Sequence, residues 1–213
     1  MIRGTFAKSE PLERGRVMPH ESRSALLIVD VQNDFCPRGA LAVPHGDRVV
    51  PVLNRYIEQA LARGVPIYAT RDWHPAVTSH FAAYGGEWPV HCVQGTPGAQ
   101  FHPDLRLPSS AIIVTKGQNP DRPGYSAFEG RTPEGVLLLD DFRTNGISRL
   151  YVGGLATDYC VKHSVLDATA AGLTVTLLED AIAGVDLRAG DSERAVADMR
   201  ASGTDAISGS IQP

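Results

Sequence analysis

The sequence predicts an α/β protein with three layers, αβα, built around a mainly parallel, doubly wound sheet. Three observations support this prediction. Short apolar runs alternate with segments of helical periodicity along the chain of 213 residues. The apolar runs are continuous rather than alternating with polar residues, which is typical of strands buried on both faces. Several runs also end at a polar residue, and ligands bind beyond the carboxyl ends of such strands.

Three strands are predicted in the first half of the chain. They are residues 25–29 (ALLIV), 65–70 (VPIYAT) and 111–115 (AIIVT). Residues 73–110 lack a regular pattern and are rich in Pro, Gly, His and aromatic residues. Because an irregular stretch of this length inside a compact domain is usually functional, we expect it to carry part of a site.

One helix is predicted between the first two strands. Asp47 can cap its start, it continues to about Arg63, and Gly64 ends it. Its apolar residues recur at helical spacing and should share one face. They are Val49, Leu53, Tyr56, Ile57, Ala60 and Leu61.

The second half of the chain continues the alternation. A threonine cap and a first-turn proline at Thr132-Pro133 predict a helix start, and Asn145-Gly146 predicts its end. The remaining elements are a strand at 150–153, a helix from about 160 to 171, a strand at 173–178 that stops at Glu179-Asp180, a helix at about 192–202 and a short last strand from 206.

Charge and composition argue against several classes of partner. The formal net charge is −4 without a basic run, which disfavours nucleic acid and anionic membranes, and no apolar stretch approaches transmembrane length. Three widely spaced cysteines cannot all pair, so we expect free thiols and a cytoplasmic location. Residues 1–23 are interpreted as an N-terminal arm before one domain at 24–213; a homo-oligomer remains open.

Polar groups follow four of the predicted strands. Asp30 follows the first, Asp72 the second and Lys116 the third, and Cys160 lies just beyond the fourth. Because parallel strands end at a common edge of the sheet, these distant residues are expected to meet there. The sequence therefore predicts an active site at this edge.

Cys160 is the candidate nucleophile. It lies in the run GGLATDYCV at residues 153–161. Two glycines permit a tight turn, and a helix start lowers the pKa of a cysteine and offers backbone N–H groups to an oxyanion. The alternative is an ordinary buried cysteine that acts as a small apolar residue.

Asp30 and Lys116 are candidates for a base and its partner. A carboxylate at a buried strand end has a raised pKa, which suits proton transfer. Lys116 would orient that carboxylate, lower the thiol pKa or stabilise negative charge. The alternatives are a turn-capping aspartate and a solvated surface lysine, and capping is the interpretation we prefer for Asp34.

A second group of side chains has the character of metal ligands. Asp72 and His74 are two residues apart, so in an extended segment they point to the same side. His80 and His91 are candidates to complete a site. Mixed Asp and His ligands suit Zn²⁺, Mn²⁺ or Fe²⁺. The alternative for each histidine is a loop or surface position, which we expect of the other four: His20, His45, His102 and His163.

These patterns resemble a known family. The D-x-Q-x-D-F segment that begins at Asp30, the lysine after a strand at 116 and the glycine-rich run before Cys160 are similar to the isochorismatase-like cysteine hydrolases. The resemblance implies a catalytic triad of Asp30, Lys116 and Cys160. It also implies a non-proline cis peptide between Leu155 and Ala156, with the backbone N–H groups of Ala156 and Cys160 forming an oxyanion hole.

Residues 72–97 make the resemblance more specific. The segments D-W-H-P, S-H-F and W-P-x-H-C-V-x-G-T are similar to those of the nicotinamidases, also called pyrazinamidases. The resemblance implies one divalent metal ion, with Zn²⁺ preferred and Mn²⁺ or Fe²⁺ as alternatives. Its implied ligands are Asp72, His74 and His91, with His80 as a fourth that some members lack. It further implies a pocket for the substrate ring, formed by Phe35, Trp88, Tyr125 and Leu155.

The implied activity is hydrolysis of nicotinamide to nicotinate and ammonia in NAD salvage, with pyrazinamide-like amides as further substrates. Three alternatives are another small-amide hydrolase of the superfamily, a catalytically silent binding module, and a metal-storage or sensor domain. The metal motif disfavours the first alternative. The presence of Asp30, Lys116 and Cys160 disfavours the second, and the third would not need Cys160.

Overall fold

The computed structural model describes residues 23–211, which form one six-stranded sheet. The strands are β1 Arg23–Val29, β2 Ile67–Asp72, β3 Ile112–Lys116, β4 Ile147–Leu155, β5 Thr174–Ala183 and β6 Asp205–Ile207. Their order is β3-β2-β1-β4-β5-β6, and every neighbouring pair is parallel. The predicted N-terminal arm lies outside the described residues except for Arg23, which begins β1.

Helices cover both faces of the sheet. They are α1 Val49–Ala62, α2 Leu138–Thr144, α3 Lys162–Ala170 and α4 Asp191–Ala201. On one face, Leu53 of α1 joins Leu26 of β1 in a buried cluster. On the other face, Val165 of α3 and Met199 of α4 join Leu27 in a second cluster, because neighbouring residues of a strand point to opposite sides. The predicted three-layer, doubly wound architecture is confirmed.

None of the α-helices within residues 23–211 combines the length and the apolar character needed to cross a bilayer.

The first helix is confirmed, with two differences. It begins at Val49 rather than at an Asp47 cap, because Asp47 lies in a preceding 3₁₀ turn, Gly46–Arg48. Leu61 is 50% exposed, since it lies off the helix face that packs on the sheet. Gly64 follows the end of the helix in the left-handed conformation, with φ of 66°, as expected of a helix-terminating glycine.

The predicted helix start at Thr132-Pro133 is wrong. Thr132 instead begins a turn in which its N–H donates to Val136 O, and α2 begins only at Leu138. Arg131 pairs with Thr115 at the edge of the sheet, which keeps this part of the chain extended. The predicted end of the helix is confirmed.

β5 does not stop at Glu179-Asp180 as predicted but continues to Ala183. The polar pair is tolerated because Tyr56 donates its hydroxyl proton to Asp180 Oδ1 at 2.7 Å. The pairing of β5 with β4 shifts register along this stretch. The longer strand carries the chain to the same edge of the sheet as the candidate site.

The helix after β4 opens with a π-helical turn, Thr157–Val161, and continues as α3. The helix predicted from Cys160 is therefore present and starts three residues earlier. π-Helical turns are frequent at functional sites. This turn follows the carboxyl end of β4, next to β1, so the fold places Cys160 at the predicted edge.

Candidate active site

The carboxyl ends of the strands bring Asp30, Lys116 and Cys160 together. Lys116 Nζ lies 2.7 Å from Asp30 Oδ2 and 3.5 Å from Cys160 Sγ, and it donates a further hydrogen bond of 3.0 Å to Gly124 O. All three side chains are buried, with exposed fractions of 0% for Asp30, 1% for Lys116 and 5% for Cys160. The alternatives of a capping aspartate and a surface lysine are therefore wrong.

Asp30 has the environment of a general base. It leaves β1 in the left-handed conformation, with φ of 48°, which non-glycine residues adopt seldom and often at functional sites. Its Oδ1 accepts a 2.6 Å hydrogen bond from Thr70 Oγ1. Burial raises the pKa of Asp30 above its usual value, although Lys116 opposes the change. A carboxylate with a raised pKa takes up a proton more readily, as a base in catalysis must.

Lys116 is a buried ammonium group held between two carboxylates. Burial by itself lowers the pKa of a lysine, but Asp30 and Asp72 outweigh burial and keep the pKa of Lys116 well above its usual value. Nζ lies 2.5 Å from Asp72 Oδ1. Burial likewise raises the pKa of Asp72, but Lys116 and His74 outweigh it, and the pKa of Asp72 falls below its usual range. The ion pair is therefore charged at neutral pH.

The structure corrects one prediction about Cys160. A helix start was expected to lower its pKa, but burial raises the pKa of the thiol well above its usual value. Lys116 opposes that effect, while Asp30 and Asp72 reinforce it. The resting thiol is therefore protonated and needs a base before it can attack. A carboxylate oxygen of Asp30 lies within 4.8 Å of Cys160 Sγ, so Asp30 is in position to take that proton.

His74, His80 and His91 form a second buried cluster, in which candidate ligand nitrogens lie within 4.8 Å of one another. Since a carbonyl oxygen only accepts, His74 Nδ1 donates to Gly117 O at 2.9 Å, and His91 Nδ1 donates to Pro89 O at 2.8 Å. Nε2 is then the nitrogen of each ring that remains to bind a ligand. Metal-binding histidines are usually held by a hydrogen bond of this kind from the other ring nitrogen.

The chemistry of this cluster fits a divalent metal ion. His74 Nε2 is one of the few buried polar atoms without a hydrogen-bond partner in the described chain, and it lies 3.7 Å from Asp72 Oδ2. Burial lowers the pKa of His80 to about 4 and also lowers that of His91, so both rings are neutral. Neutral imidazoles and a carboxylate are the forms that bind Zn²⁺, Mn²⁺ and Fe²⁺. The four predicted ligands are thus brought together.

Gly117 shows how closely the chain is built around this cluster. It has a φ of 71°, and a Cβ added there would lie 2.7 Å from His74 Cε1. A side chain at this position would therefore displace the ring of His74.

Asp72 belongs to both clusters, because Oδ1 faces Lys116 and Oδ2 faces His74. Gln32 fixes its backbone: the side-chain amide accepts a hydrogen bond from Asp72 N and donates one to Asp72 O, each of 2.8 Å. The same amide donates to Ala99 O at 2.9 Å. Gln32 was not predicted from the sequence as a functional residue. The available signal was its place in the D-x-Q pattern.

A small cleft with aromatic walls opens onto both clusters. Phe35, Trp88 and Tyr125 line it, and Trp88 Nε1 donates to Tyr125 OH at 2.8 Å. Leu155, also predicted to bind substrate, is not among the lining residues, because its side chain is fully buried in the core. Three further lining residues were missed: Leu41, Tyr159 and Val185. Tyr159 directly precedes Cys160 in the GGLATDYCV run, whereas no motif marks the other two.

The peptide bond between Leu155 and Ala156 is cis, as the resemblance implies. Ala156 lines the cleft beside Cys160. Ala156 O accepts hydrogen bonds from Tyr159 N and Val161 N, which ties the start of the π-helical turn to the end of β4. The oxyanion hole formed by the N–H groups of Ala156 and Cys160 stays a prediction.

Residues near the site that were expected to be structural are so. Asp34 accepts hydrogen bonds from Cys92 N at 2.7 Å and Ala40 N at 3.2 Å, and so joins two loops. Cys36 and Cys92 are buried free thiols, and burial raises the pKa of Cys36 to about 11. Of the cysteines, Cys160 alone lines the cleft within the described residues.

Comparison with known proteins agrees with this geometry. A model of the isochorismatase domain matches residues 24–210. The nicotinamidase of Escherichia coli (strain K12) is 44% identical over 195 residues, covering 84% of this chain and 92% of that protein. The nicotinamidase/pyrazinamidase of Mycobacterium tuberculosis is 42% identical over 164 residues, covering 76% and 87%. A crystal structure of the pyrazinamidase of Pyrococcus horikoshii in complex with zinc is 44% identical, with a TM-score of 0.81 and coverage of 88% and 99%.

Proposed function

The chain belongs to the isochorismatase domain family, and from that membership we propose that it is a metal-dependent nicotinamidase that converts nicotinamide and water to nicotinate and ammonia. It is an amidohydrolase. One observation carries the proposal: a buried thiol with its own base and lysine faces the same cleft as a three-histidine cluster. A thiol hydrolase without a ring-binding ion would not need that cluster.

Asp30, Lys116 and Cys160, called here the thiol half of the site, perform acyl transfer. Asp30 takes the proton from Cys160, and the sulfur attacks the amide carbonyl carbon. When the C–N bond breaks, the nitrogen leaves as ammonia with the proton that Asp30 held, and a thioester remains on Cys160. Water then attacks the thioester and gives a proton to Asp30, and the sulfur leaves and takes that proton back. Lys116 balances the negative charge that moves between the carboxylate and the sulfur.

The negative charge on the carbonyl oxygen needs donors of its own. The backbone N–H groups of Ala156 and Cys160 are the proposed donors, since both residues line the cleft at the point where the thiol lies. Donors fixed before the reaction stabilise an oxyanion without reorganisation, and removing one such donor typically costs about 10²- to 10³-fold in turnover.

Asp72, His74, His80 and His91 are the proposed ligands of one divalent ion, with Zn²⁺ preferred because the similar pyrazinamidase was solved with zinc. When bound, such an ion supplies a Lewis acid for the pyridine nitrogen and so orients the ring. The chain already supplies a nucleophile in Cys160 and a base in Asp30, so the ion's proposed part is to hold the ring. The aromatic side chains of Phe35 and Trp88 are proposed to hold the two faces of the ring.

Three finer points belong to the same proposal. The reaction serves NAD salvage, pyrazinamide-like amides are alternative substrates, and the setting is the cytoplasm. Three free thiols support the last point, because reducing compartments keep cysteines unpaired.

The direct test is ammonia release from nicotinamide by the purified protein, measured with and without a chelator, beside a panel of aliphatic and aromatic amides. The expected result is turnover of nicotinamide that chelation abolishes and added metal restores. Hydroxylamine should divert the thioester to the hydroxamate of nicotinate. Turnover of aliphatic amides without nicotinamide turnover would instead favour another small-amide hydrolase of the family. No turnover of any amide would favour a silent binding module.

A further inference from the structure

We propose that His163 is a positioning residue that sets the outer wall of the cleft by stacking on Tyr125. The inference rests on the proposed function, because it names a residue that governs how tightly the ring substrate is held. On the sequence alone, His163 was assigned to the surface. The structure places His163 at the surface, as expected, but its ring stacks on the ring of Tyr125.

A chain of three contacts connects His163 to the cleft. Its ring lies 5.2 Å from the ring of Tyr125 with an interplanar angle of 18°, a stacked arrangement. The hydroxyl of Tyr125 accepts a 2.8 Å hydrogen bond from Trp88 Nε1. The indole of Trp88 in turn meets the ring of Tyr159 edge-on at 4.8 Å. Three of these four rings line the cleft, and His163 supports them from outside.

The position of His163 in the chain explains why this support matters. It lies three residues after Cys160 on the continuous helical segment formed by the π-helical turn and α3. Residues three apart on a helix lie close together on its surface. One continuous helical segment therefore carries both the nucleophile and the ring that stacks on Tyr125. His163 thereby ties the loop that contributes Tyr125 to the segment that positions the thiol.

The state of the imidazole suits stacking. Partial burial of the ring lowers the pKa of His163, with Asp167 opposing and Lys162 reinforcing that change. A neutral imidazole stacks on a phenol as a flat aromatic ring, without a charge that water would have to solvate. A phenylalanine at this position should consequently preserve the contact, whereas alanine or glutamine should lose it.

The test separates substrate holding from chemistry. In nicotinamide hydrolysis, His163→Ala should raise KM by about three- to tenfold, the range of one aromatic pair, and change kcat less than twofold, because His163 touches none of the reacting groups. His163→Phe should keep KM within twofold of the parent value, and His163→Gln should behave as the alanine variant. His102→Ala, a histidine change outside the cleft, is the matched control and should leave both constants unchanged.

A double-mutant cycle tests the route through Tyr125. In a Tyr125→Phe background the hydroxyl that binds Trp88 is absent, so His163→Ala should add less than half of its single-variant effect on KM. Full additivity, a fall in kcat instead of a rise in KM, or failure of His163→Phe to restore KM would each overturn the proposal.

A second readout is independent of amidase activity. The chain contains two tryptophans, so a Trp73→Phe background leaves Trp88 as the single fluorophore. His163→Ala should shift its emission to longer wavelength, since a released Tyr125 exposes the indole to water, and His163→Phe should not. If the parent protein fails to hydrolyse nicotinamide, the proposed function fails while this measurement still tests the stack. Identical emission from all three proteins would overturn the stack itself.

Discussion

The thiol half of the site and its metal half are built in different ways. The metal half consists of the proposed ligands Asp72, His74, His80 and His91. Asp30 and Lys116 lie at strand ends, and Cys160 lies in the first turn after a strand, so the register of the sheet sets their positions. His80 and His91 come from the irregular segment 73–110, which isolated bridges and short turns hold in place. The two halves share one cleft, but the regular scaffold places all of the thiol half and, of the proposed metal ligands, only Asp72 at the end of β2.

Charge differs in the same way. In the thiol half, the ammonium of Lys116 is paired with the carboxylates of Asp30 and Asp72 within the chain. In the metal half, His80 and His91 are neutral, and His74 has a buried nitrogen to which the described residues offer no hydrogen bond. The first half is electrostatically complete on folding, whereas the second needs a cation. The halves should therefore fail separately.

Cys160→Ala should damage the thiol half alone and give the largest effect. Nicotinamide turnover should fall by at least about 10⁴-fold, as is typical when a nucleophile is removed. Metal content should be unchanged, because Cys160 contacts Lys116 and not the histidine cluster. Cys36→Ala, which removes a buried thiol outside the cleft, should keep most of the activity. Substantial turnover by Cys160→Ala would contradict the mechanism.

His74→Ala should damage the metal half alone. Loss of this ligand should lower metal content and reduce nicotinamide turnover on the order of 100-fold. Iodoacetamide should still alkylate Cys160 at the parent rate. Elemental analysis and mass spectrometry on the same sample provide the comparison, with His102→Ala as a histidine variant outside the cleft. A parallel loss of thiol reactivity would mean that the halves are not separable.

Trp88→Ala tests the aromatic wall of the cleft onto which both halves of the site open. Removing the indole should raise KM about tenfold, since one aromatic contact is worth on the order of 1 kcal/mol. Tyr84→Ala, an aromatic change on the same segment at a half-exposed position, should leave KM unaltered. An unchanged KM with a lowered Tm in Trp88→Ala would show that the indole serves packing rather than binding.

Thr70→Val should give the smallest effect, confined to the thiol half. The 2.6 Å hydrogen bond from Thr70 Oγ1 stabilises the charged form of Asp30 and so lowers its pKa. Asp30 acts as a base only above its pKa. Removing the hydroxyl raises that pKa, so the acid limb of kcat/KM should move to higher pH by about one unit. Thr115→Val, at the end of the neighbouring strand, should leave the acid limb of the kcat/KM pH profile unchanged. If Thr70→Val also leaves that limb unchanged, Asp30 is not the base.

The sequence predicted the thiol half better than its surroundings, for a physical reason. Strand ends are marked by a polar residue after an apolar run, and parallel topology alone brings Asp30, Lys116 and Cys160 to one edge. It did not predict the state of the thiol. Burial outweighs the effect of Lys116 in setting the pKa of Cys160, and the depth of burial follows from packing that no local pattern contains.

The supporting residues were harder to predict. Gln32 acts through two hydrogen bonds to the backbone of Asp72, which lies 40 positions further along the chain. Leu41 and Val185 reach the cleft through loop geometry rather than through a motif. Leu155 was expected in the pocket because of its motif, but its side chain faces the core. Sequence periodicity gives the face of an element, whereas loop geometry decides what the irregular residues touch.

The most direct measurement of the central claim pairs two assays on rigorously metal-free protein: ammonia release from nicotinamide and alkylation of Cys160. If the halves are separate, amidase activity is lost, alkylation proceeds at the rate of the metal-loaded protein, and added Zn²⁺ restores the amidase alone. Full amidase activity without metal would contradict the account, because the three histidines would then have no part in holding the substrate.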